Sequence, residues 1–299
     1  MTVADANLDD LEFDLLLQAV RARWGHDFQS YSRASLKRRV LTAVKRQGAS
    51  HISALIHPVL RDPGYFAELL SSLCVSVTEF FRDPEFFGAL HDHVLPHLAA
   101  YPRLKIWHAG CASGEEVYSL AILLQEAGLL HRTQIYATDT NLAALATARS
   151  GVYPLSAVEA RDAAYRAAGG QSSVRQHCVT LPGTAASRST EARCLMSREL
   201  RERITWSAHH LGTDGTFSEV NLIVCRNTLI YFDRSLQDRV VGLFLRSLLD
   251  GGFLTLGAQE SLEFSAHGDA FDLLLEPQIY QRRALHPMAG AHGSAEVQR

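Results

Sequence analysis

The stretch LKIWHAGCASGEEVYSLAILLQE, residues 104–126, decides the fold class of this chain. Its apolar start, 104–109, predicts a buried strand, and the pattern from Glu115 onward predicts a helix. Between them, Gly110 and Gly114 allow the backbone of a tight loop to come close to a bound molecule. The N–H groups at the start of the helix favour polar or anionic ligand groups. A strand, a loop and a helix in this order predict one unit of a parallel α/β sheet.

The spacing of the two glycines restricts the class of cofactor. Dinucleotide-binding loops carry GxGxxG, and phosphate-binding P-loops carry GxxxxGK followed by Ser or Thr. The pattern Gly110-x-x-x-Gly114 matches neither of them. It is the looser pattern common in S-adenosylmethionine methyltransferases, and that cofactor is therefore the first hypothesis.

Asp139 follows the second predicted strand, 134–138, and stands 29 residues after Gly110. A carboxylate at this place can accept hydrogen bonds from both hydroxyls of a ribose. The alternative is that Asp139 caps the helix predicted over 142–150, a role that Asn141 could fill equally well. The glycine loop before it favours the ribose interpretation.

Two further apolar runs, 220–225 and 253–257, predict strands of the same parallel sheet, and 279–281 is a candidate for its last strand. Residues 1–88 differ from this part, because their apolar positions recur at helical spacing. The sequence therefore predicts a small all-helical domain in front of an α/β domain.

The composition excludes several classes of protein. Of the 299 residues, 47% are hydrophobic and 20% are charged, which argues against a disordered, collagen-like or coiled-coil chain. A net charge of −3 provides no overall basic field for nucleic acid. Five cysteines without a CxxC pair argue against a disulfide framework and a thiolate zinc site. With no signal peptide and no apolar run near 18 residues, we expect a cytoplasmic protein without membrane insertion.

One helix of the amino-terminal domain is predicted to carry a basic surface. From Leu15 to Arg61, Lys and Arg are frequent and Asp27 is the single acid. On a helix over 35–46, the apolar side chains share one face. The alternative to a docking surface is an ordinary solvated face. The cations assigned to docking of an acidic partner are Lys37, Arg38, Arg39, Lys45 and Arg46.

Six blocks of sequence resemble, in order, the chemotaxis receptor methyltransferase (CheR) family. The resemblance covers roughly residues 11–283. It implies a small all-helical domain followed by a Rossmann-like methyltransferase domain with a small β-subdomain insertion. The blocks are SYSRASLKRRV (30–40), VSVTEFFRDPEFF (75–87), HAGCASGEEVYSLA (108–121), ATDTNLAALATARSGVYP (137–154), VCRNTLIYFD (224–233) and GGFLTLGAQESL (251–262).

The resemblance also suggests where the domains begin and end. We expect the helical domain over 1–88 and the methyltransferase domain over 89–287, with the insertion at about 155–205. The remaining tail, 288–299, is expected to be disordered. In part of the family the β-subdomain grips a receptor's carboxy-terminal pentapeptide. The 155–205 segment diverges most from the family, which leaves that contact open here.

The family's activity is transfer of a methyl group from S-adenosylmethionine to glutamate side chains of chemoreceptors. The products are S-adenosylhomocysteine and glutamate methyl esters, which serve chemosensory adaptation. The resemblance places Arg82 and Tyr231 at the reaction centre. The residues that it implicates in cofactor binding are Ser76, Thr78, Arg82, Glu115, Asp139, His210, Leu211, Arg226 and Asn227.

Two of these positions depart from the family's usual residues. Ser76 stands where Asn is usual, and His210 stands where an Asn precedes the equivalent of Leu211. Serine and histidine still form hydrogen bonds, so we expect altered affinity for the cofactor and not its loss.

Two other functions are alternatives to receptor methylation: methylation of RNA, and sensing of the cofactor without catalysis. An RNA methyltransferase would have a basic chain and a base-stacking catalytic motif, and neither is found. A non-catalytic module that senses the cofactor would have lost residues such as Arg82, Asp139 or Tyr231, which are retained. His93 and His97 stand four residues apart but lack a third ligand, so we expect no metal site. We expect a monomer whose partner is the acidic helical cytoplasmic region of a chemoreceptor.

Overall fold

Helices form the amino-terminal part of the chain. The computed structural model describes residues 3–26, 28–29, 31–73, 78–181, 192–217, 219–276 and 278–284. Ser76 and the tail 288–299 lie outside the described residues, so what was predicted for them stays a prediction. The first helices are α1 (Val3–Trp24), α2 (Arg33–Arg46), α3 (Ile56–Arg61) and α4 (Pro63–Leu73), with a 3-10 turn at Ile52–Leu55.

The apolar face of α2 packs into the core of the helical domain. Leu36, Val40 and Val44 are buried there against Phe13 and Leu16 of α1, as their spacing predicts. Burial of a side chain of this size stabilises the fold by about 1.5–3 kcal/mol. The cations of α2 are thereby left on its other faces.

Within the described residues, ten strands follow the helical domain, and seven of them form one sheet. Its spatial order is β6-β2-β1-β7-β8-β10-β9. The strands are β1 (Leu104–Ala109), β2 (Thr133–Asp139), β3 (Val152–Pro154), β4 (Cys178–Leu181), β5 (Arg193–Met196), β6 (Ile204–Ala208), β7 (Val220–Cys225), β8 (Leu248–Leu256), β9 (Phe271–Leu275) and β10 (Ile279–Arg282).

The large sheet is parallel over its first five strands in space and antiparallel at one end. β6, β2, β1, β7 and β8 pair in parallel, while β10 pairs antiparallel with both β8 and β9. The α/β class with a helical domain in front is thus confirmed. The expectation that 279–281 continues the parallel sheet is wrong, because only a few residues separate β9 from β10. Such a short connection joins antiparallel strands, whereas a parallel pair needs a long crossover.

Helices cover both faces of the large sheet. Successive side chains of β1 enter different cores: Ile106 packs with α7, and Trp107 packs with Phe244 of α12 at a ring-centroid distance of 5.5 Å. No helix within the described residues is long and apolar enough to cross a membrane. The remaining helices are α5 (Pro84–Ala89), α6 (Leu95–Leu98), α7 (Glu115–Glu126), α8 (Leu142–Ser150), α9 (Leu155–Glu159), α10 (Asp162–Ala167), α11 (Arg198–Arg201) and α12 (Arg234–Ser247), with a π-helical turn at Leu90–Val94.

The three remaining strands form the small β-subdomain that the resemblance implies. β5 lies between β3 and β4 and pairs antiparallel with both. Its Cys194 and Met196 are buried in the same core as Tyr118 of α7. The subdomain therefore packs on the helix that follows the glycine loop.

The helical domain and the methyltransferase domain meet beside the end of β7. Tyr31 forms an isolated antiparallel bridge with Phe232, and their rings lie 4.9 Å apart. The Ser32 N–H donates to the carbonyl oxygen of Tyr231 at 2.8 Å. Helix α2 begins at Arg33, directly after Ser32, so these contacts place its start at the carboxyl edge of the sheet.

Candidate functional site

A cavity of about 920 Å³, including its open mouth, lies at the carboxyl ends of β1, β2 and β7. Open α/β sheets bind their ligands at this edge. The loops after the three strands supply most of the wall, and the helical domain adds Tyr31 and Arg39. Both parts of the chain therefore contribute to one site.

The glycine loop after β1 depends on the absence of side chains. Gly110 and Gly114 have φ angles of 78° and 92°, which L residues rarely adopt. A Cβ on Gly114 would lie 2.7 Å from the Cβ of Ala148 and 2.9 Å from the Trp206 ring. Glycine at 114 therefore allows α8 and β6 to pack directly against the loop.

Asp139 ends β2 inside the cavity wall. Its carboxylate accepts the Ala112 N–H and the Asn141 N–H, each at 2.8 Å. Burial raises the pKa of Asp139 although these hydrogen bonds oppose the shift. The helix cap is Asn141, whose side chain accepts the N–H groups of Ala143 and Ala144 at 3.0 and 3.2 Å. The capping alternative for Asp139 is thus wrong, and its carboxylate faces the cavity beside the glycine loop.

A buried ionic network supports the cavity wall around Arg226. The guanidinium of Arg226 donates to Glu116 at 2.8 Å and to Asp83 at 2.6 Å, and it stacks 4.0 Å from the Phe86 ring centroid. The Nε2 atom of His108 lies 3.2 Å from the other oxygen of Glu116. Burial alone would raise the pKa of Glu116, but the charge of Arg226 and the contact with His108 bring this pKa below its ordinary value. Glu116 is therefore ionised at neutral pH.

Arg82 and Tyr231, the pair predicted at the reaction centre, both line the cavity together with Thr78. Tyr231 is half-buried, and the guanidinium of Arg39 lies 4.5 Å from the centroid of its ring. Ser32 holds the Tyr231 backbone from the helical domain. The position of the tyrosine ring is therefore set by residues of both domains.

Asn227 lies between β7 and Tyr231 with a φ angle of 56°, in the left-handed region. Its backbone N–H donates to Glu260 at 2.9 Å. Its side-chain Oδ1 is buried in the cavity wall and has no hydrogen-bond partner among the described residues. This oxygen is therefore a buried acceptor without a partner at the cavity wall.

Glu115 does not line the cavity, although the resemblance implicates it in cofactor binding. Its carboxylate accepts the Ser113 hydroxyl at 2.6 Å, while the neighbouring Glu116 lines the cavity. Adjacent residues of a helix point about 100° apart, so one of two consecutive acids turns inward. Glu116 could have been found from the sequence, because it stands one and four residues before the buried Val117 and Leu120. A role for Glu115 at the cofactor stays a prediction.

His209, and not His210, lines the cavity from the loop after β6. The Nδ1 atom of His210 accepts the Gly212 N–H at 3.2 Å, and its own backbone N–H donates to Asp214 at 2.8 Å. The His210 ring thus forms a contact within its own loop, and its role at the cofactor stays a prediction. Leu211, predicted with it, is buried in the cavity wall.

The five cations assigned to docking do not form one group. Arg39 lines the cavity, and its role in docking stays a prediction. Lys37 pairs with Asp10 at 2.8 Å, and Arg46 pairs with Glu68 at 3.1 Å. Arg38 and Lys45 are exposed on α2. The exposed basic face is therefore smaller than the sequence predicts.

The lining fits the cofactor expected from the sequence. The buried His108 Nδ1, Arg226 Nε and Asn227 Oδ1 atoms line the cavity without a hydrogen-bond partner among the described residues. Buried polar groups are normally satisfied, so a ligand with hydrogen-bonding groups is expected beside them. The Asp139 carboxylate suits ribose hydroxyls, and Leu211 offers apolar contact to a base. Within the described part of the chain, no group of three His, Cys, Asp or Glu residues could hold a metal ion.

Comparisons with known proteins agree on the family. The family model for the CheR methyltransferase SAM-binding domain matches residues 76–276, and the model for the CheR all-alpha domain matches residues 11–74. Cher3 of Pseudomonas putida, named as a methyltransferase, is 44% identical over 92% of this chain and 97% of its own length. A chemotaxis protein methyltransferase of Listeria monocytogenes is 30% identical over 85% of this chain and 92% of its own.

Among solved structures, the glycopeptide N-methyltransferase MtfA, complexed with sinefungin, matches 60% of this chain and 50% of its own, with a TM-score of 0.35 and 12% identity. The family assignment rests on the sequence matches, which cover both domains. The chain belongs to the CheR methyltransferase family, and it is an S-adenosylmethionine-dependent methyltransferase of the chemotaxis type.

Proposed function

We propose that this methyltransferase forms methyl esters on glutamate side chains in the acidic helical cytoplasmic region of chemoreceptors. The observation that carries the proposal is that two arginines, Arg39 and Arg82, line the cavity together with Tyr231 and Asp139. Guanidinium groups bind carboxylates through charge-assisted hydrogen bonds. A carboxylate substrate therefore matches the charge of the wall that it would meet.

The chemistry of ester formation matches what these residues can do. When bound, S-adenosylmethionine supplies an electrophilic methyl group, which a carboxylate oxygen takes as the C–S bond breaks and leaves its electron pair on sulfur. A glutamate carboxylate is ionised at neutral pH, so no residue of this chain has to remove a proton. Arg39 and Arg82 would orient the carboxylate, and the Tyr231 ring would exclude water from it. Orientation and exclusion of water are the sources of the rate that this site can offer.

The partner follows from the same function. Relatives that are named chemotaxis protein methyltransferases support a chemoreceptor substrate. Its signalling helices present glutamates on the cytoplasmic side of the membrane, which is where this enzyme would act.

The test is methyl transfer from labelled S-adenosylmethionine to cytoplasmic fragments of the host's own receptors. We expect the label on glutamate, and we expect mild alkali to release it, because carboxyl methyl esters are labile to base. A matched receptor fragment with its methylated glutamates replaced by alanine should take up no label.

Two results would contradict the proposal. Label that survives mild alkali would indicate an N-methyl product. Label that enters RNA and no receptor fragment would favour the RNA methyltransferase alternative.

A further inference from the structure

Glu260 is a buried carboxylate outside the set of residues predicted for the site. It lies in the loop after β8, where its own N–H donates to the Gly257 carbonyl oxygen at 2.9 Å. Its residue is 5% exposed. Within the described part of the chain, no cationic side chain forms an ion pair with it. A buried charge is costly unless opposite charges or hydrogen bonds stabilise it. For Glu260, hydrogen bonds therefore have to provide this stabilisation.

Backbone N–H groups supply that stabilisation. Oε2 of Glu260 accepts the N–H of Gly257 at 2.6 Å and that of Asn227 at 2.9 Å. Oε1 accepts the N–H groups of Leu229 and Ile230 at 2.7 and 3.2 Å. Three of the four donors belong to the segment after β7, about thirty residues away in sequence. Both carboxylate oxygens are therefore occupied in joining two loops.

The segment that Glu260 holds is the wall of the cofactor cavity. It contains Asn227 in its left-handed conformation and leads directly to Tyr231. Gly257 is matched to this arrangement, since a Cβ there would lie 2.8 Å from the Asn227 nitrogen and 2.9 Å from Oε2 of Glu260. The close approach of the two loops therefore leaves no room for a side chain at position 257.

A left-handed asparagine costs free energy and persists where its surroundings fix it. The N–H groups of Leu229 and Ile230 also open a single 3-10 turn, Leu229–Tyr231, and have no intrahelical acceptor there. The carboxylate thus takes the role of a helix cap that arrives from another strand. Burial raises the pKa of Glu260 while the four N–H groups oppose this shift.

We propose that Glu260 is a positioning residue for this methyltransferase: by binding the N–H groups of Asn227, Leu229 and Ile230, it holds the Asn227 amide and the Tyr231 ring toward the cofactor and the substrate. It acts through the segment 227–231 and touches neither ligand. The part of the proposal that concerns Tyr231 rests on the function proposed above.

The test compares Glu260→Gln with two control variants in the same loop. The glutamine keeps the shape of the side chain but replaces one carboxylate oxygen by an NH₂ group, which cannot accept hydrogen bonds. About half of the hydrogen bonds to the backbone N–H groups are therefore lost. Leu262→Ala removes a buried apolar side chain of this loop but leaves the Glu260 carboxylate and its hydrogen bonds in place. Glu263→Gln changes an exposed acid. Each variant is measured by calorimetry with S-adenosylhomocysteine, by thermal unfolding and by steady-state kinetics.

We expect Glu260→Gln to raise the dissociation constant of S-adenosylhomocysteine roughly tenfold or more, because bonds to a charged acceptor are lost. The value of kcat should fall with it, while KM for the receptor stays unchanged. Leu262→Ala should lower Tm without changing the dissociation constant, and Glu263→Gln should change neither. If Glu260→Gln lowers Tm but keeps the wild-type affinity and kcat, Glu260 is merely structural and the proposal is wrong.

A measurement on the wild-type protein applies even where the variant fails to fold. The amide resonances of Asn227, Leu229 and Ile230 should shift together with one midpoint as pH is lowered, since one carboxylate accepts all three bonds. The proposal would be overturned if the three resonances shifted with different midpoints or did not shift with pH at all. Neither this experiment nor the calorimetry uses a receptor, so both stand even if the product of the reaction proves not to be an ester.

Discussion

At the scale of single residues, the site is made of polar groups that the fold has partly but not fully satisfied. Asp139 accepts two backbone N–H groups and still lines the cavity, whereas His108 and Asn227 keep buried atoms without a partner among the described residues. Unsatisfied buried groups are costly. Ligand binding can remove that cost, which makes each of these residues a separate target for mutation.

Asp139→Ala should weaken S-adenosylhomocysteine binding roughly tenfold or more, because bonds to a buried charged acceptor are worth about 1.5–3 kcal/mol. Calorimetry measures this directly. Asp92→Asn, which alters an exposed acid on another surface, is the matched control and should bind as wild type does. Unchanged affinity in Asp139→Ala would remove this residue from the ribose contact.

The same carboxylate predicts a dependence on pH. Burial raises the pKa of Asp139 above its ordinary value of 3.8, and protonation weakens the carboxyl group as an acceptor. Affinity for S-adenosylhomocysteine should therefore fall as pH decreases through this raised pKa, and Asp139→Asn should flatten the profile. The stability of the ligand-free protein depends on pH in the opposite direction. The folded state binds the proton more tightly than the unfolded chain, so this group's contribution to stability decreases as pH rises between the two pKa values.

Arg82→Ala and Tyr231→Phe should lower kcat while Tm changes little. The backbone contacts at both positions are kept, since Arg226 donates to the Arg82 carbonyl oxygen and Ser32 donates to the Tyr231 carbonyl oxygen. The expected loss is tenfold or more if each side chain acts on the reacting groups. Steady-state kinetics with the receptor fragment measure it, and full activity in either variant would exclude that residue from the reaction centre.

At the scale of secondary-structure elements, periodicity and loop chemistry explain which parts of the fold were predictable. The runs 104–109 and 220–225 are strands with those bounds, and both are mostly apolar because every residue in them except Lys105 is buried. β6 and β9 were missed because both are edge strands in which exposed residues outnumber or equal the rest. Short, half-exposed strands lack a signal that separates them from loops.

The same comparison holds within the site. Residues fixed by loop glycines or strand ends, such as Gly110, Asp139 and Asn227, are where the motifs predict them. Glu116 and His209 line the cavity one residue away from the predicted Glu115 and His210, at places where the direction of a side chain depends on helix rotation or on a loop of irregular shape. Contacts between distant segments, such as Arg39 over Tyr231, have no local signal at all.

The start of α8 allows a direct test of the roles of Asn141 as helix cap and Asp139 as ligand contact. Asn141→Ala removes the N-cap of α8 and should destabilise the protein by about 0.5–2 kcal/mol. Because Asp139 and not Asn141 faces the cavity, affinity for S-adenosylhomocysteine should stay close to that of the wild type. Denaturant unfolding and calorimetry on the same sample check both. A large loss of affinity without a loss of stability would reverse the two roles.

At the scale of the whole molecule, the two domains meet at the wall of the cavity. The bridge between Tyr31 and Phe232 and the bond from Ser32 to Tyr231 attach the start of α2 to the wall of the cavity. One cation of this helix, Arg39, then reaches into the cavity, while Arg38 and Lys45 remain exposed outside it. A partner that binds the exposed face would therefore lie next to the cavity.

The last prediction concerns that exposed face. Arg38→Glu combined with Lys45→Glu should raise KM for the receptor fragment and reduce its dependence on salt, because an acidic helix is no longer attracted. Such attraction is screened over a Debye length of about 8 Å at 0.15 M ionic strength. Arg39 is left unchanged, since its side chain belongs to the cavity and its loss would mix docking with chemistry. Arg246→Glu reverses an exposed cation on α12 and serves as the matched control.

Steady-state kinetics at low and high salt separate the outcomes. If the basic face steers the receptor, the double variant differs most from wild type at low salt, and the two curves converge as salt screens the charges. Affinity for S-adenosylhomocysteine should be unchanged in both variants, because the substituted side chains lie outside the cavity. Receptor kinetics equal to those of the wild type across the salt range would show that α2 presents only a solvated face. A similar rise of KM in Arg246→Glu would point instead to the net charge of the molecule and not to this helix.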